Sequence, residues 1–152
     1  MMKTVTRIID LQGLSNVGIV EDRKIYRGAQ PEPDGFLTLI KELKIKTIIN
    51  LRQFHTDHTL IPVIKYPMTV FTPIGKDQLP TIMTSMEESL RWPIFIHCAQ
   101  GQDRTGYICA AYRVLVQGWT VEEAMEELQA YVLSPFGEMW HEITEAVKDL
   151  KK

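Results

Sequence analysis

The sequence is poor in cysteine, in excess charge and in long apolar runs, and each of these absences narrows what the protein can be. It has only 2 cysteines in 152 residues, too few for a disulfide framework. Its formal net charge of −2 argues against non-specific binding of nucleic acid and against a polybasic membrane anchor. No stretch is long enough to span a bilayer, and the start of the chain lacks the apolar run of a signal peptide. We therefore expect a cytoplasmic protein with no nucleic-acid partner and no stable membrane anchor.

Repeats, low-complexity stretches and linkers are absent as well, and the remaining composition is that of an ordinary globular protein. The chain is 45% hydrophobic and 24% charged, and its length is sufficient to bury a hydrophobic core. We expect residues 1–152 to form a single domain and to act as a monomer.

Short β-rich segments alternate with segments of helical spacing, which is typical of an α/β fold. Two details of this pattern can be checked directly: Asp34 is expected to cap the first helix, and Thr120 and Glu123 form a capping box. Gly118 is expected to end the helix before that box. The predicted hairpin covers residues 18–26, the strands 46–51, 63–68 and 94–98, a loop 71–76, and the helices begin near residues 35, 79, 105, 121 and 138. The apolar face of the first helix is predicted to comprise Phe36, Leu37, Leu39, Ile40 and Leu43, and that of the second Ile82, Met83, Met86 and Leu90.

One decapeptide, His97–Gly106 (HCAQGQDRTG), carries the chemistry of the sequence. Cys98 and Arg104 bracket five residues, after a β-rich run and before a helical stretch. In a loop between a strand and a helix N-terminus, backbone N–H groups and the helix dipole can converge on one anion. The same positive potential favours a thiolate, and a guanidinium can hold two oxygens of a phosphate. The predicted phosphate-binding residues are Ala99, Gln100, Gly101, Gln102, Asp103 and Arg104.

These residues predict phosphoryl transfer through a cysteinyl-phosphate intermediate, with Cys98 as the nucleophile and Arg104 stabilising the transition state. The alternative is a structural cysteine in a turn, with an arginine in a salt bridge. That alternative is disfavoured because the glycines at 101 and 106, the β-rich run before and the helical stretch after all fit the functional interpretation. Cys109 is expected to be a buried, inert thiol; its alternative role would be to resolve an oxidised Cys98.

The decapeptide fits H-C-x-x-G-x-x-R-[ST]-G, and at these residues the chain resembles the protein tyrosine phosphatase superfamily. It is most similar to small and atypical dual-specificity phosphatases and to bacterial relatives acting on inositol phosphates or phosphoinositides. The segments Tyr26–Pro31 and Thr47–Arg52 support the resemblance, which covers a core of about residues 16–133, followed by a C-terminal helix over 138–150. It implies a single-domain cysteine phosphatase fold with a central, mostly parallel sheet flanked by helices, and no metal or cofactor.

The resemblance also implies roles for two neighbours of the nucleophile. The hydroxyl of Thr105 would donate a hydrogen bond to the sulfur of Cys98, and His97 would orient the loop. The resemblance does not identify the general acid. Related small enzymes carry an aspartate for this role on a loop ahead of the cysteine, but residues 66–70 (YPMTV) here have no carboxylate.

Three aspartates could supply the missing proton. Asp103 lies inside the signature, and C-x-x-G-x-D-R-T resembles myotubularin-type phosphoinositide phosphatases, in which that aspartate is the proposed acid. Asp77 and Asp57 precede the signature. Asp103 could instead pair with a neighbouring Arg or Lys, and Asp77 could be a capping or surface residue. We favour Asp103 over Asp77.

The substrate is predicted only as a class. Arg52, His55, His58 and Lys76, with Arg27 and Lys65, could line the mouth of the site and meet an anionic substrate. Phosphorylated proteins and inositol phosphates both remain open, and Gln100 and Gln102 stand where some phosphoinositide enzymes carry lysines. A different class is a pseudophosphatase that binds phosphate without turnover. Rhodanese-like and arsenate-reductase-like loops lack the flanks of this signature, and a metal hydrolase is disfavoured because the histidines have no clear ligand spacing.

Overall fold

The structure is a computed structural model that describes residues 6–8, 10–68, 78–132 and 138–150. The described residues form a six-stranded sheet and five α-helices, which confirms the α/β class. The strands are β1 (Thr6–Ile8), β2 (Val17–Glu21), β3 (Ile25–Gly28), β4 (Thr47–Arg52), β5 (Val63–Met68) and β6 (Ile94–His97). The helices are α1 (Gly35–Lys41), α2 (Leu79–Glu87), α3 (Asp103–Leu115), α4 (Val121–Tyr131) and α5 (Glu138–Lys148), and a 3-10 turn covers Ser89–Arg91.

The sheet has the strand order β1-β2-β3-β6-β4-β5 and is mixed. The pairs β1–β2 and β2–β3 are antiparallel, whereas β3–β6, β6–β4 and β4–β5 are parallel. His97, the last residue of β6, lies beside Gly28 of β3 and Asn50 of β4. The segments that follow these three parallel strands therefore leave the sheet at one edge, where open α/β sheets place their ligands.

The two faces of the sheet are covered by different helices. Along β6, Ile94 and Ile96 belong to one apolar cluster with residues of α2, α3, α4 and α5, while Phe95 belongs to the cluster that includes Leu39 of α1. This alternation follows from the two-residue period of a strand. All three β6 side chains are fully buried, and each such side chain contributes roughly 1.5–3 kcal/mol. β6 therefore lies in the middle of three layers: α1 on one face, the sheet, and α2 to α5 on the other face.

Several predicted boundaries are confirmed. The strand predicted at 63–68 is β5, the hairpin at 18–26 is formed by β2 and β3, and Gly118 follows α3 with φ +75°. Thr120 and Glu123 form the predicted reciprocal capping box at the start of α4. β1 was not predicted, and the predicted loop at 71–76 lies outside the described residues. No helix of the described residues is long and apolar enough to cross a membrane.

Three details were predicted wrongly. Leu37 and Ile40 are 52% and 41% exposed. Ile40 lies one residue, about 100° of rotation, beyond buried Leu39, and Leu37 lies two residues, about 200°, from both Gly35 and Leu39. Asp34 forms no capping hydrogen bond, since its carboxylate accepts one from the side chain of Gln12. α2 ends at Glu87, so Leu90 lies in the 3-10 turn and is 86% exposed.

Candidate active site

Cys98 directly follows β6, and the loop of residues 98–102 turns back into the N-terminus of α3. The helix begins at Asp103, two residues earlier than predicted. Cys98 is 3% exposed, and the backbone N–H of Gly101 donates a hydrogen bond to its Sγ at 3.3 Å. The strand–loop–helix context predicted for the signature is therefore present, with one backbone N–H group on the sulfur.

Gly101 is the residue on which the shape of the loop depends. Its φ is +75°, and an added Cβ would lie 2.6 Å from the carbonyl carbon of Gly28 at the end of β3. Real Cβ atoms do not tolerate such a contact, and the left-handed backbone disfavours other residues. The glycine lets the loop pack directly on β3 while its N–H faces Cys98.

Arg104 lies in the first turn of α3, half-buried, and its Nη1 donates to the backbone oxygen of Met68 at 3.1 Å. Met68 ends β5, so Arg104 ties the helix N-terminus to the neighbouring strand end. The hydrogen bond expected from Thr105 to Cys98 is not formed. The Thr105 hydroxyl is fully buried without a hydrogen-bond partner, and the sulfur receives the Gly101 N–H instead.

Below Cys98 lies a buried polar network that the sequence did not predict. His97 is completely buried; its Nε2 is 2.7 Å from Oδ2 of Asp57, and its Nδ1 is 3.0 Å from the backbone oxygen of Cys98. The ring is thus held between the loop carbonyl of Cys98 and the carboxylate of Asp57. This geometry agrees with the expectation that His97 orients the loop.

Asp57 receives further hydrogen bonds from two side chains, Gln30 Nε2 at 2.7 Å and Asn50 Nδ2 at 3.2 Å. Its side chain has no exposed surface. Burial alone would raise the pKa of Asp57, but the hydrogen bond and charge of His97, with the bond from Gln30, hold it below its usual value. Asp57 is therefore a fixed carboxylate that anchors the loop, and it is poorly suited to donate a proton.

Asp103 is in the opposite situation. It is half-buried, and within the described part of the chain its carboxylate forms no ion pair, so the expected alternative of a paired side chain is not found there. Burial raises the pKa of Asp103, and the charge of Arg104 opposes this only in part. A carboxyl group with a raised pKa, inside the loop that carries the nucleophile, has the property required of a general acid.

The residues predicted to line the mouth are divided by the structure. His55 and His58 line a cavity of about 500 Å³ together with Gln30 and Ala99, the residue after the nucleophile. Arg52 donates from Nη1 to Oε1 of Gln30 at 3.1 Å, so it supports the wall of that cavity rather than lining it. Burial and the charge of Arg52 lower the pKa of His55.

The other predicted mouth residues do not meet there. Lys65 is exposed and donates to the backbone oxygen of His55 at 2.9 Å. Arg27 is only 1% exposed and lies behind the loop, so its placement at the mouth was wrong. Lys76 and Asp77 lie outside the described residues. The predicted burial of Cys109 in α3 is confirmed, and burial raises its pKa to about 11, which disfavours its reactive thiolate form.

The sequence of this chain matches a known protein family and several characterised relatives. Residues 15–144 match the family described as "DSP-PTPase phosphatase fused to NAD+ Kinase". The dual specificity protein phosphatase TpbA of Pseudomonas aeruginosa is 30% identical over 112 residues, 69% of this chain and 50% of the relative. The inositol diphosphatase DSP3 of Arabidopsis thaliana is 30% identical over 127 residues, 76% of this chain and 61% of the relative. The chain thus spans one half to three fifths of these two proteins.

Solved structures share the fold. The catalytic domain of the PP-IP phosphatase SIW14 from S. cerevisiae superposes with a TM-score of 0.80 at 22% identity, covering 93% of this chain and 89% of that domain. The crystal structure of P. aeruginosa TpbA gives a TM-score of 0.78 at 22% identity, covering 96% of this chain and 93% of that one. With the family match over most of its length and the signature loop at the end of β6, the chain belongs to the DSP-PTPase family.

Proposed function

We propose that this chain is a cysteine-dependent phosphatase that hydrolyses phosphomonoesters through a cysteinyl-phosphate intermediate. The observation that carries the proposal is the position of Cys98 at the end of the central strand, with the Gly101 N–H 3.3 Å from its sulfur. A loop that presents an N–H group to the sulfur stabilises a thiolate, and the neighbouring N–H groups are available for phosphoryl oxygens. The family membership supports the same activity.

The reaction divides into two displacements at phosphorus. The Cys98 thiolate attacks, an S–P bond forms, and the P–O bond to the leaving group breaks while its oxygen takes a proton. Water then attacks the phosphocysteine, the S–P bond breaks, and inorganic phosphate leaves with the thiolate restored. The guanidinium of Arg104 would bind the phosphoryl oxygens and stabilise their negative charge in both steps.

Asp103 is our proposed proton donor to the leaving oxygen. Its support is its place in the signature, at the start of α3 directly after the loop, and the direction of its pKa shift: burial raises the pKa of Asp103, as a proton donor requires. Asp57 lacks this property because its pKa is lowered. In the second step the Asp103 carboxylate would take a proton from the attacking water.

For the substrate we propose phosphorylated protein of the tyrosine or dual-specificity type. The cavity beside Ala99 has the size to hold groups attached to the phosphate, and it is lined by Phe36 and prolines as well as by histidines. The described residues that line this cavity include no lysine or arginine and one glutamate, Glu32, which favours a substrate with a single phosphate over a polyanion. TpbA, a dual specificity phosphatase by name, supports this class.

Inositol phosphates or phosphoinositides are the second candidate class. One observation favours them: the proposed acid lies inside the loop as Asp103, as in the myotubularin-type pattern C-x-x-G-x-D-R-T. Relatives named inositol diphosphatase support this class as well. From the sequence alone we also propose a cytoplasmic location and a monomeric state.

The test is phosphate release from one panel without added metal: p-nitrophenyl phosphate, phosphotyrosine and phosphoserine peptides, inositol phosphates and phosphoinositides. Cys98→Ser should abolish release, whereas the matched control Cys109→Ser, at the other cysteine, should not. Release that is fastest from peptides supports the first substrate class, and release that is fastest from inositol compounds supports the second. Release that survives in Cys98→Ser, or wild-type protein that binds phosphate without releasing it from any substrate, would contradict the proposed activity.

A further inference from the structure

Arg27 is a buried cation directly behind the signature loop. It is 1% exposed, its Nη2 donates to the backbone oxygen of Gly101 at 3.0 Å, and its guanidinium carbon lies 3.8 Å from the centre of the Tyr131 ring. Its Nε and Nη1 are fully buried without a hydrogen-bond partner. Within the described residues, no carboxylate forms an ion pair with it.

The second buried arginine of the protein shows how unusual this is. Arg113, 6% exposed, donates to both carboxylate oxygens of Glu127 at 3.1 and 2.8 Å and also lies over an aromatic ring, that of Trp119. Its charge is thus neutralised locally. Burying a charge without such a partner destabilises the folded state. We therefore expect the positive charge of Arg27 to have a role that a neutral side chain could not fill.

Arg27 acts on the loop together with Asn16, which donates from Nδ2 to the backbone oxygen of Gln100 at 3.0 Å. Two successive peptide carbonyls, of Gln100 and Gly101, are therefore held from behind the loop. In a trans peptide the C=O and the following N–H point in opposite directions. Holding these carbonyls behind the loop turns the next N–H groups, of Gly101 and Gln102, towards its front, and the Gly101 N–H does meet Sγ of Cys98.

We propose that Arg27 is a positioning residue for the signature loop, and that the phosphoryl group bound in front of the loop is the counter-charge of its guanidinium. The role has two parts: Arg27 fixes the orientation of the Gly101–Gln102 peptide, and it adds a second permanent positive charge to that of Arg104. The inference rests on the proposed function for its substrate, but it applies to phosphate binding even without turnover.

The test compares Arg27→Met with Arg113→Met, which removes the other buried, ring-stacked arginine at a distance from the loop. Three quantities are measured for each: the melting temperature, the affinity for inorganic phosphate by calorimetry, and kcat and KM on p-nitrophenyl phosphate. We expect both variants to lose stability. Only Arg27→Met should lose phosphate affinity and kcat/KM, each by at least about tenfold, as for the loss of a charged hydrogen-bonding group. Arg27→Lys keeps the charge but not the fork, and it should fall between wild type and Arg27→Met.

A folded Arg27→Met that binds phosphate as tightly as wild type and retains its kcat/KM would overturn the proposal and leave a purely structural residue. If Arg27→Met does not fold, Arg27→Lys decides: unchanged phosphate affinity and kcat/KM overturn the proposal, and a loss of both that Arg113→Met does not show supports it. The outcome is separate from that for the proposed function, which fails if hydrolysis does not depend on Cys98. If the wild-type protein binds phosphate without hydrolysing esters, and Arg27→Met weakens that binding, this inference holds although the proposed function fails. If the wild-type protein binds no phosphate, the inference is overturned.

Discussion

Two aspartates belong to the signature segment or to the network that holds it, and the structure gives their carboxyl groups opposite pKa shifts. Asp57 contacts His97, the residue before Cys98, and Asp103 is the first residue of α3, directly after the loop of residues 98–102. Burial acts on both in the same direction, raising the pKa of each. At Asp57 the hydrogen bonds from His97 and Gln30 outweigh burial, whereas at Asp103 burial prevails over the charge of Arg104.

The difference shows that partners, rather than burial, assign the chemical role of a carboxyl group in this site. A carboxylate that accepts several hydrogen bonds stays ionised and holds structure. A carboxyl group with few partners keeps its proton to a higher pH and can donate it. We therefore propose that Asp57 positions the loop and that Asp103 transfers the proton. Substitution of Asp103 should then mainly change the rate, and substitution of Asp57 should mainly change the stability.

The largest effect is expected for Asp103→Asn, on rate. Loss of a general acid costs about 10²–10⁴-fold, but only when the leaving group needs a proton. Hydrolysis of alkyl phosphates or phosphotyrosine should therefore slow far more than hydrolysis of p-nitrophenyl phosphate. The measurement is kcat/KM on both kinds of substrate for wild type and variant. An equal or negligible loss on the two would remove Asp103 from this role.

Asp57→Asn should mainly reduce stability. The substitution leaves His97 buried without its carboxylate, and breaking a buried pair costs about 3 kcal/mol. Urea unfolding at neutral pH measures this loss, and kcat/KM of the folded variant should fall by a similar factor for good and poor leaving groups. A strong dependence on the leaving group would show instead that Asp57 is the acid.

A smaller effect is expected for Gln30→Met, which keeps the length of the side chain but removes one hydrogen bond to Asp57. The expected destabilisation is about 1 kcal/mol, and the pKa of Asp57 should rise towards its ordinary value. Stability in urea and the NMR titration of the Asp57 carboxyl carbon give the two readouts. An unchanged titration would mean that Gln30 does not help to keep Asp57 ionised.

The smallest effect is a difference in the pH dependence of stability. Because the pKa of folded Asp57 is lowered, its contribution is complete above the ordinary value of 3.8 and is lost as the pH falls through the folded pKa. Because the pKa of Asp103 is raised, wild type should lose stability relative to Asp103→Asn as the pH rises from 3.8 through the folded value. Relative to wild type, the urea midpoint of Asp57→Asn should fall as the pH rises towards 3.8, and that of Asp103→Asn should rise as the pH increases above 3.8. A change of the same sign in both variants would contradict the comparison.

The sequence predicted the loop but not what surrounds it. Cys98, Gly101 and Arg104 are neighbours in the chain, so their spacing alone indicates a strand, a turn and a helix start. The partners of the loop come from elsewhere: Asp57 meets His97 because β4 and β6 are adjacent with Asn50 beside His97. Such strand order cannot be deduced from local spacing.

The burial of Arg27 could not be predicted from the sequence either. In the sequence it is one of several basic residues before the signature, and a charged side chain is normally placed at the surface. Its burial follows from the position of β3 next to β6 and from the Tyr131 ring contributed by α4. Only the tertiary contacts distinguish it from Arg52, which the structure does leave near the cavity.

The central claim is that Cys98 carries the phosphoryl group during turnover. The most direct measurement is to quench the reaction with an alkaline denaturant, in which an S–P bond survives, during steady-state hydrolysis of p-nitrophenyl phosphate and to identify the modified peptide by mass spectrometry. We expect one phosphoryl group on the peptide that contains Cys98, absent in Cys98→Ser and present in Cys109→Ser. Turnover that continues with an unmodified Cys98, and that persists in Cys98→Ser, would contradict the mechanism.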